Sequence, residues 1–223
     1  MKNNKDINYG VQPVLAKVAM WLTQDIVIRF FFRRKIVKGK KYLELLKGPV
    51  ILAPTHRSRW DGLILTFAVG RRVTTKDCRF MVTNPEMRGI QGWFLKRLGC
   101  FSINQESPSM YSLRYAVNLI LSKNQLVIFP EGKINKNGKT VKLKQGLFRL
   151  AKLARRKGHP IKIVPIGIAY NNVSPKFRDD FALCIEKPLD LDDFSASSID
   201  YFNSYLINII KKAELKALDL VGR

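Results

Sequence analysis

The fragment Thr55-His56-Arg57-Ser58-Arg59-Trp60-Asp61 places an imidazole and a carboxylate five positions apart, directly after the apolar run Val50-Ile51-Leu52-Ala53. A strand ending at Pro54-Thr55 delivers the imidazole to the rim of a sheet. If a helix begins over the next residues, Asp61 returns beneath His56. A carboxylate there accepts a hydrogen bond from one ring nitrogen, fixes the tautomer and leaves the other nitrogen as a base. The same spacing also fits a histidine capping a helix start, with Asp61 a favourable charge in the first turn. A second group stands downstream. The short apolar run Leu126-Val127-Ile128-Phe129 stops at Pro130-Glu131-Gly132-Lys133. Proline ends sheet pairing and glycine lets backbone approach a ligand. Glu131 and Lys133 are then offered at a strand end, as an acceptor and a cation.

The elements that must position these groups follow an α/β rhythm. Strands are expected over 50–53, 79–82, 101–103, 126–129, 162–169 and 181–186. Helices are expected over 60–69, 87–98, 110–121, 145–157 and 198–218. The fold class implied is α/β, a largely parallel central sheet with helices on both faces. In such sheets ligands sit beyond the carboxyl ends of strands, and His56 is at one of those ends. An N-terminal helix precedes the sheet, starting at Pro13 and apolar round most of its surface to Phe32. Between Arg29 and Lys41 come seven basic residues and no acid. Three phenylalanines beside such a cluster suit a helix lying in a lipid interface, with cations over the headgroups. Asp25 must then find a partner or stay near water. The expected division is residues 1–41 as a membrane-associating helix and basic segment, and 42–223 as the domain carrying the chemistry.

The net charge of +23 indicates an anionic partner: a nucleic acid, a membrane surface, or an acidic protein or cofactor. From Lys133 to Lys162 there are eleven basic residues and no acid, whereas seven of the 17 acids fall between Asp179 and Asp200. So long a basic run points to an anionic partner. Cys78, Cys100 and Cys184 are widely spaced and odd in number, which argues against a disulfide framework. With two histidines and no paired cysteine spacing, no metal site is expected. No secretory signal is read in the start Met1-Lys-Asn-Asn-Lys-Asp, and no run is long and apolar enough for a membrane-spanning helix.

Taken together, the blocks resemble the glycerolipid acyltransferases, the family of glycerol-phosphate and lysophosphatidate acyltransferases. His56 and Asp61 match its His-x4-Asp block. Gly99-Cys100-Phe101-Ser102-Ile103 matches its Gly-x-Phe-x-x-Arg block, with Asn104 in place of arginine. Phe129-Pro130-Glu131-Gly132 matches its third block, with Ile134 where arginine is usual. Val164-Pro165-Ile166 matches its fourth, and Lys144-Gln145-Gly146 its Lys-x-Gly element. The order is right over residues 50 to 170. His-x4-Asp alone is unspecific, whereas Phe-Pro-Glu-Gly downstream at this distance is specific.

The resemblance implies acyl transfer from a thioester, acyl carrier protein or acyl-coenzyme A, to the hydroxyl of a lysoglycerolipid. The first choice is 1-acyl-glycerol 3-phosphate, giving phosphatidic acid. His56 would act as base and Asp61 would steady it. Glu131, Gly132, Lys133, Lys144 and Asn104 would form the acceptor site. No cofactor is implied beyond the thioester co-substrate. The two missing arginines leave Lys133 and Lys144 as point charges rather than forks, so another lysolipid or lipid alcohol is the alternative acceptor. The implied location is the cytoplasmic face of a membrane. Nucleic-acid binding would explain the charge but not the order of the blocks. A non-catalytic basic adaptor between membrane and carrier protein is the rival from another class. Cys100 is read as a buried side chain rather than a nucleophile, and Arg57 and Arg59 as either donor-phosphate contacts or surface charge.

Overall fold

The computed structural model describes residues 11–44, 46, 48–104, 107–122, 124–139 and 141–223; the start at Met1–Asp6 lies outside them. Pro13 opens helix α1 (Pro13–Met20), which continues through a wider π-type stretch, Trp21–Val27, into α2 (Ile28–Phe31). There follow β1 (Phe32–Lys38), α3 (Lys41–Glu44), β2 (Val50–Pro54), α4 (Asp61–Val69), α5 (Arg71–Thr74) and β3 (Cys78–Thr83). Next are α6 (Gly89–Arg97), β4 (Phe101–Ile103), α7 (Met110–Leu121), β5 (Gln125–Val127) and α8 (Gly146–Arg155). The chain closes with β6 (Lys162–Tyr170), β7 (Asp179–Ile185), β8 (Leu189–Asp190) and the long α9 (Ile199–Leu220).

The strands form one sheet in the order β1-β7-β6-β2-β5-β3-β4, with β8 on the end of β6. From β6 to β4 all pairs are parallel; β7 runs against β6, and β1 runs parallel to β7. Period-2 alternation splits the central strands between two cores. Ile51, Ala53 and Ile163 face Phe148 of α8 and Phe202, Leu206 and Ile210 of α9. Val50, Leu52, Val164 and Ile166 face α4 and the α2–β1 junction, through Ile64, Leu65, Ala68, Ile28 and Phe32. With both faces covered, β2 and β7 are buried along their whole length, which is why β2 and the Phe181–Ile185 part of β7 read as continuous apolar runs.

The expected elements are present, with three differences. The basic stretch after Phe32 is an edge strand rather than a segment separate from the domain, because β1 pairs with β7. The charge is accommodated by Asp180 on β7, whose carboxylate accepts from Arg33 Nε (3.0 Å) and Nη2 (2.8 Å) and from the Arg34 amide (3.1 Å). The hydrogen bond from Arg33 holds the Asp180 carboxyl below its usual range, despite the opposing effect of burial. Second, the three phenylalanines diverge. Phe30 is exposed, Phe32 is buried, and Phe31 stacks on Trp60 with ring centres 4.2 Å apart. Third, the basic run from Lys133 to Lys162 meets acids of this same chain, in the pairs Lys142–Asp200, Arg155–Asp192 and Lys162–Asp190. Asp25 pairs with Arg72 through two contacts of 2.6 and 2.7 Å. No helix among the described residues is long and apolar enough to cross a membrane.

Candidate active site

The parallel neighbours β2 and β5 end side by side, so their carboxyl ends place the His56 and Phe129–Gly132 turns in contact. The exit from β2 is locked to β6: the Thr55 amide donates to Ile166 O (2.9 Å), and Thr55 Oγ1 accepts from the Ile168 amide (2.8 Å). β5 ends two residues before the expected limit. The Ile128 amide still donates to Leu52 O (3.0 Å), but Phe129 has turned out to stack on the His56 ring, 3.9 Å between centres.

His56 and Asp61 meet as the spacing predicts. The imidazole Nδ1 lies 2.9 Å from Asp61 Oδ2. An ionised carboxylate only accepts, so Nδ1 carries the hydrogen and Nε2 keeps the lone pair. Asp61 is fully buried at the first turn of α4, a position that favours negative charge. Its Oδ2 also accepts from the Arg57 (2.6 Å) and Ser58 (2.9 Å) amides, and Oδ1 accepts from the Tyr170 hydroxyl at 2.5 Å. Burial pushes the Tyr170 hydroxyl well above its ordinary value, and the Asp61 charge adds to the rise, so the tyrosine stays a donor.

Arg57 is neither a surface charge nor a donor-phosphate contact. It is buried between two carboxylates. Nη1 donates to both oxygens of Glu131 (2.8 and 2.9 Å), while Nε and Nη2 clamp Glu214 of α9, Nη2 at 2.9 Å. Burial alone would lower the guanidinium's pKa; Glu214 and Glu131 outweigh it, and the net shift is upward. The remaining donors to Glu131 are the His56 amide (3.0 Å) and Asn135 Nδ2 (2.7 Å). Glu131 is thus 4% exposed, with both oxygens occupied. It braces the His56 backbone from below and does not line the cavity described next. Glu214 reaches Arg57 because α9 crosses β6 at Gly167, where a Cβ would fall 2.2 Å from Ala213 C and Glu214 N.

His56 opens onto a cavity of about 1150 Å³. Of the residues expected at the acceptor site, Gly132, Lys133 and Lys144 line it, beside Ile134, Arg59 and Arg149. Gly132 adopts φ +73°, and a Cβ there would approach Lys144 Cγ to 2.9 Å, so glycine lets the lysine lie across the turn. Asn104 is exposed, is not on the wall, and accepts from the Ser107 amide through Oδ1. Ile103 takes its place on the lining. The rest is mostly apolar: Ala16, Ala19 and Met20 of α1, Leu63, Phe80, Met81, Leu95, Leu98, Leu113, Leu147 and Leu150. Cys100 is also there, but burial pushes its thiol up to about 11, so it holds its proton at neutral pH.

Three members of the site, Asn135, Tyr170 and Glu214, were not singled out from the sequence. Glu214 did leave a signal. It falls on the buried face of α9 set by Leu206, Ile210, Ala213 and Ala217, where a carboxylate needs a cation.

Chemically, the arrangement is an oriented base beside a large, mostly apolar cavity with cations on its lining. Comparisons with known proteins agree with it. Residues 34–169 match the protein family described as Acyltransferase. The 1-acyl-sn-glycerol-3-phosphate acyltransferase of Streptococcus pneumoniae is 30% identical over 120 residues, 52% of this chain and 40% of that one. The human mitochondrial glycerol-3-phosphate acyltransferase 1 is 24% identical over 181 residues, 73% of this chain and 22% of that one. The chain therefore spans less than half the length of these relatives. The crystal structure of the 1-acyl-sn-glycerophosphate acyltransferase PlsC from Thermotoga maritima superposes with a TM-score of 0.66, covering 93% of this chain and 80% of that one; its 18% identity speaks for the fold. With the family match running over more than half of its length, this chain belongs to the acyltransferase family.

Proposed function

We propose that the protein transfers a fatty acyl group from a thioester, acyl carrier protein or acyl-coenzyme A, to the free hydroxyl of 1-acyl-glycerol 3-phosphate. The observation that carries this is the His56 ring, held through Nδ1 by buried Asp61 and opening onto the large apolar cavity. An alcohol is a poor nucleophile at neutral pH. His56 Nε2 takes its proton as the oxygen attacks the thioester carbon, and Asp61 stabilises the imidazolium formed. Collapse of the intermediate expels the thiolate, which recovers the proton from His56. The enzyme supplies no nucleophile, consistent with the protonated Cys100 thiol.

Lys133 and Lys144, beside the Gly132 turn, suit the acceptor phosphate as point charges. The apolar lining suits the acyl chains. Exposed Val14, Val18, Trp21 and Leu22 on the first helix suit contact with the membrane in which acceptor and product dissolve. The S. pneumoniae relative is named for the same acceptor, and the mitochondrial relatives for glycerol 3-phosphate, one acyl group smaller.

The test is an acyl-transfer assay with purified full-length protein and both thioester donors. Acceptors are 1-acyl-glycerol 3-phosphate, glycerol 3-phosphate and an uncharged monoacylglycerol. Phosphatidic acid as the dominant product supports the reading. Faster turnover of the uncharged acceptor would replace it with the alternative that Asn104 and Ile134 suggested.

A further inference from the structure

Helix α6 has its apolar residues on the wrong side for a helix that only packs on its own domain. Ile90, Trp93, Phe94 and Arg97 fall at i, i+3, i+4 and i+7, the spacing of a single helical face. That face is exposed: Ile90 by 79%, Trp93 by 47% and Phe94 by 44%. The other side of the turn, Leu95 and Leu98, lines the catalytic cavity. α1 repeats the pattern. Val14 and Val18 of α1, with Trp21 and Leu22 at the start of the π-type stretch that continues it, are exposed, while Ala16, Ala19 and Met20 line the cavity. The two helices are tied together, with the Gln12 amide donating to Arg97 O at 3.0 Å.

The charge around α6 selects the occupant. From Arg88 to Asn104 the chain carries Arg88, Lys96 and Arg97 and no acid; Glu86, just before it, accepts from Gln91 Nε2 of α6 and pairs with Arg59 at 3.7 Å. The Arg97 guanidinium lies 3.7 Å over the Trp93 ring, so a cation sits on the aromatic stripe itself. Amphipathic aromatics with adjoining cations match a headgroup boundary, where the ring meets acyl carbon and the cation meets phosphate.

We propose that α6 is a second lipid-contacting element, so that α1 and α6 both rest on an anionic bilayer and the catalytic cavity takes its lipid from between them. This builds on the membrane contact proposed for α1 and extends it to a helix more than 60 residues downstream. Burying two large exposed aromatics and an isoleucine adds apolar area beyond what α1 supplies.

The test uses the full-length protein with vesicles of phosphatidylcholine alone or mixed with phosphatidylglycerol. The three native cysteines are buried, so an environment-sensitive maleimide dye can be placed selectively at Ile90→Cys, with exposed Ala196→Cys on the opposite side of the sheet as control. The dye at position 90 is expected to shift to the blue on anionic vesicles and the dye at 196 to stay unchanged. The double variant Trp93→Ser/Phe94→Ser is expected to lower vesicle partitioning about tenfold, the scale of removing two interfacial aromatics. Neither residue lines the cavity, so its acyl transfer in detergent micelles stays unchanged. A wild-type protein that pellets with neither vesicle ends the membrane reading as a whole. Unchanged partitioning of the double variant with an unshifted dye at 90 overturns the role of α6 and leaves that of α1 standing. Equal binding to both vesicle types overturns the charge selection. If sedimentation shows the double variant turning a dimer into a monomer with partitioning unaltered, the face belongs to a second copy and the proposal fails.

Discussion

Below His56 lies a floor in which each carboxylate oxygen of Asp61, Glu131 and Glu214 has a donor. Around the cavity lies a wall of aliphatic and aromatic side chains with a few cations among them. The floor is drawn from five strand ends or helices: the exits of β2 and β5, the first turn of α4, the last residue of β6, and α9. Its groups are fixed by short directional bonds in a desolvated setting, where an unpaired partner is costly. The wall is held by packing, which tolerates exchange of shape so long as volume is kept. The base is therefore positioned by one region and the substrate chosen by another. Changes in the floor should strike kcat and stability, and changes in the wall should strike KM and acceptor choice.

The strongest way to break this division is Arg57→Ala. It strands Glu131 and Glu214 as buried, unpaired carboxylates, at an expected cost of about 3–5 kcal/mol in denaturant unfolding together with loss of activity. A near wild-type unfolding midpoint would show that the floor is not held as described. Asp61→Asn comes next. The amide cannot stabilise the imidazolium, and kcat should fall about 10³–10⁴-fold, the scale seen when the carboxylate of such a triad is neutralised, with KM little changed.

Tyr170→Phe sharpens the comparison with a smaller effect. Losing this donor costs about tenfold in kcat, on the scale of one hydrogen bond to a charged group. An unchanged kcat would assign Tyr170 another role. The smallest effect belongs to the wall: Lys133→Ala with Lys144→Ala should raise KM for a phosphorylated acceptor about tenfold and leave kcat within a few-fold. A purely kcat effect would place the lysines in the chemical step.

The sheet and the His56–Asp61 contact were legible because both depend on local pattern. Alternating apolar residues, the stop at Pro130 and a five-residue offset across a strand-to-helix turn need no distant partner to be read. The neighbouring role of Glu131 was read differently. As an acid at a strand end it suggested an acceptor for a substrate hydroxyl, yet its oxygens are taken by Arg57, Asn135 and the His56 amide. Nothing within its own turn announces a guanidinium supplied from 74 residues upstream. The clamp of Glu214 on that guanidinium spans 157 positions and depends on α9 crossing β6 closely at Gly167. β1 was hidden for the opposite reason. Its run of cations looks solvated until Asp180 is brought alongside by the parallel pairing with β7.

The most direct measurement is initial-rate acyl transfer by His56→Ala beside the wild type, with 1-acyl-glycerol 3-phosphate and a thioester donor, after matching the unfolding midpoints of the two proteins. The expected result is product from the wild type and none above the uncatalysed background from the variant. Equal rates from both would mean that the imidazole braced by Asp61 does not move the proton, and the mechanism would be wrong.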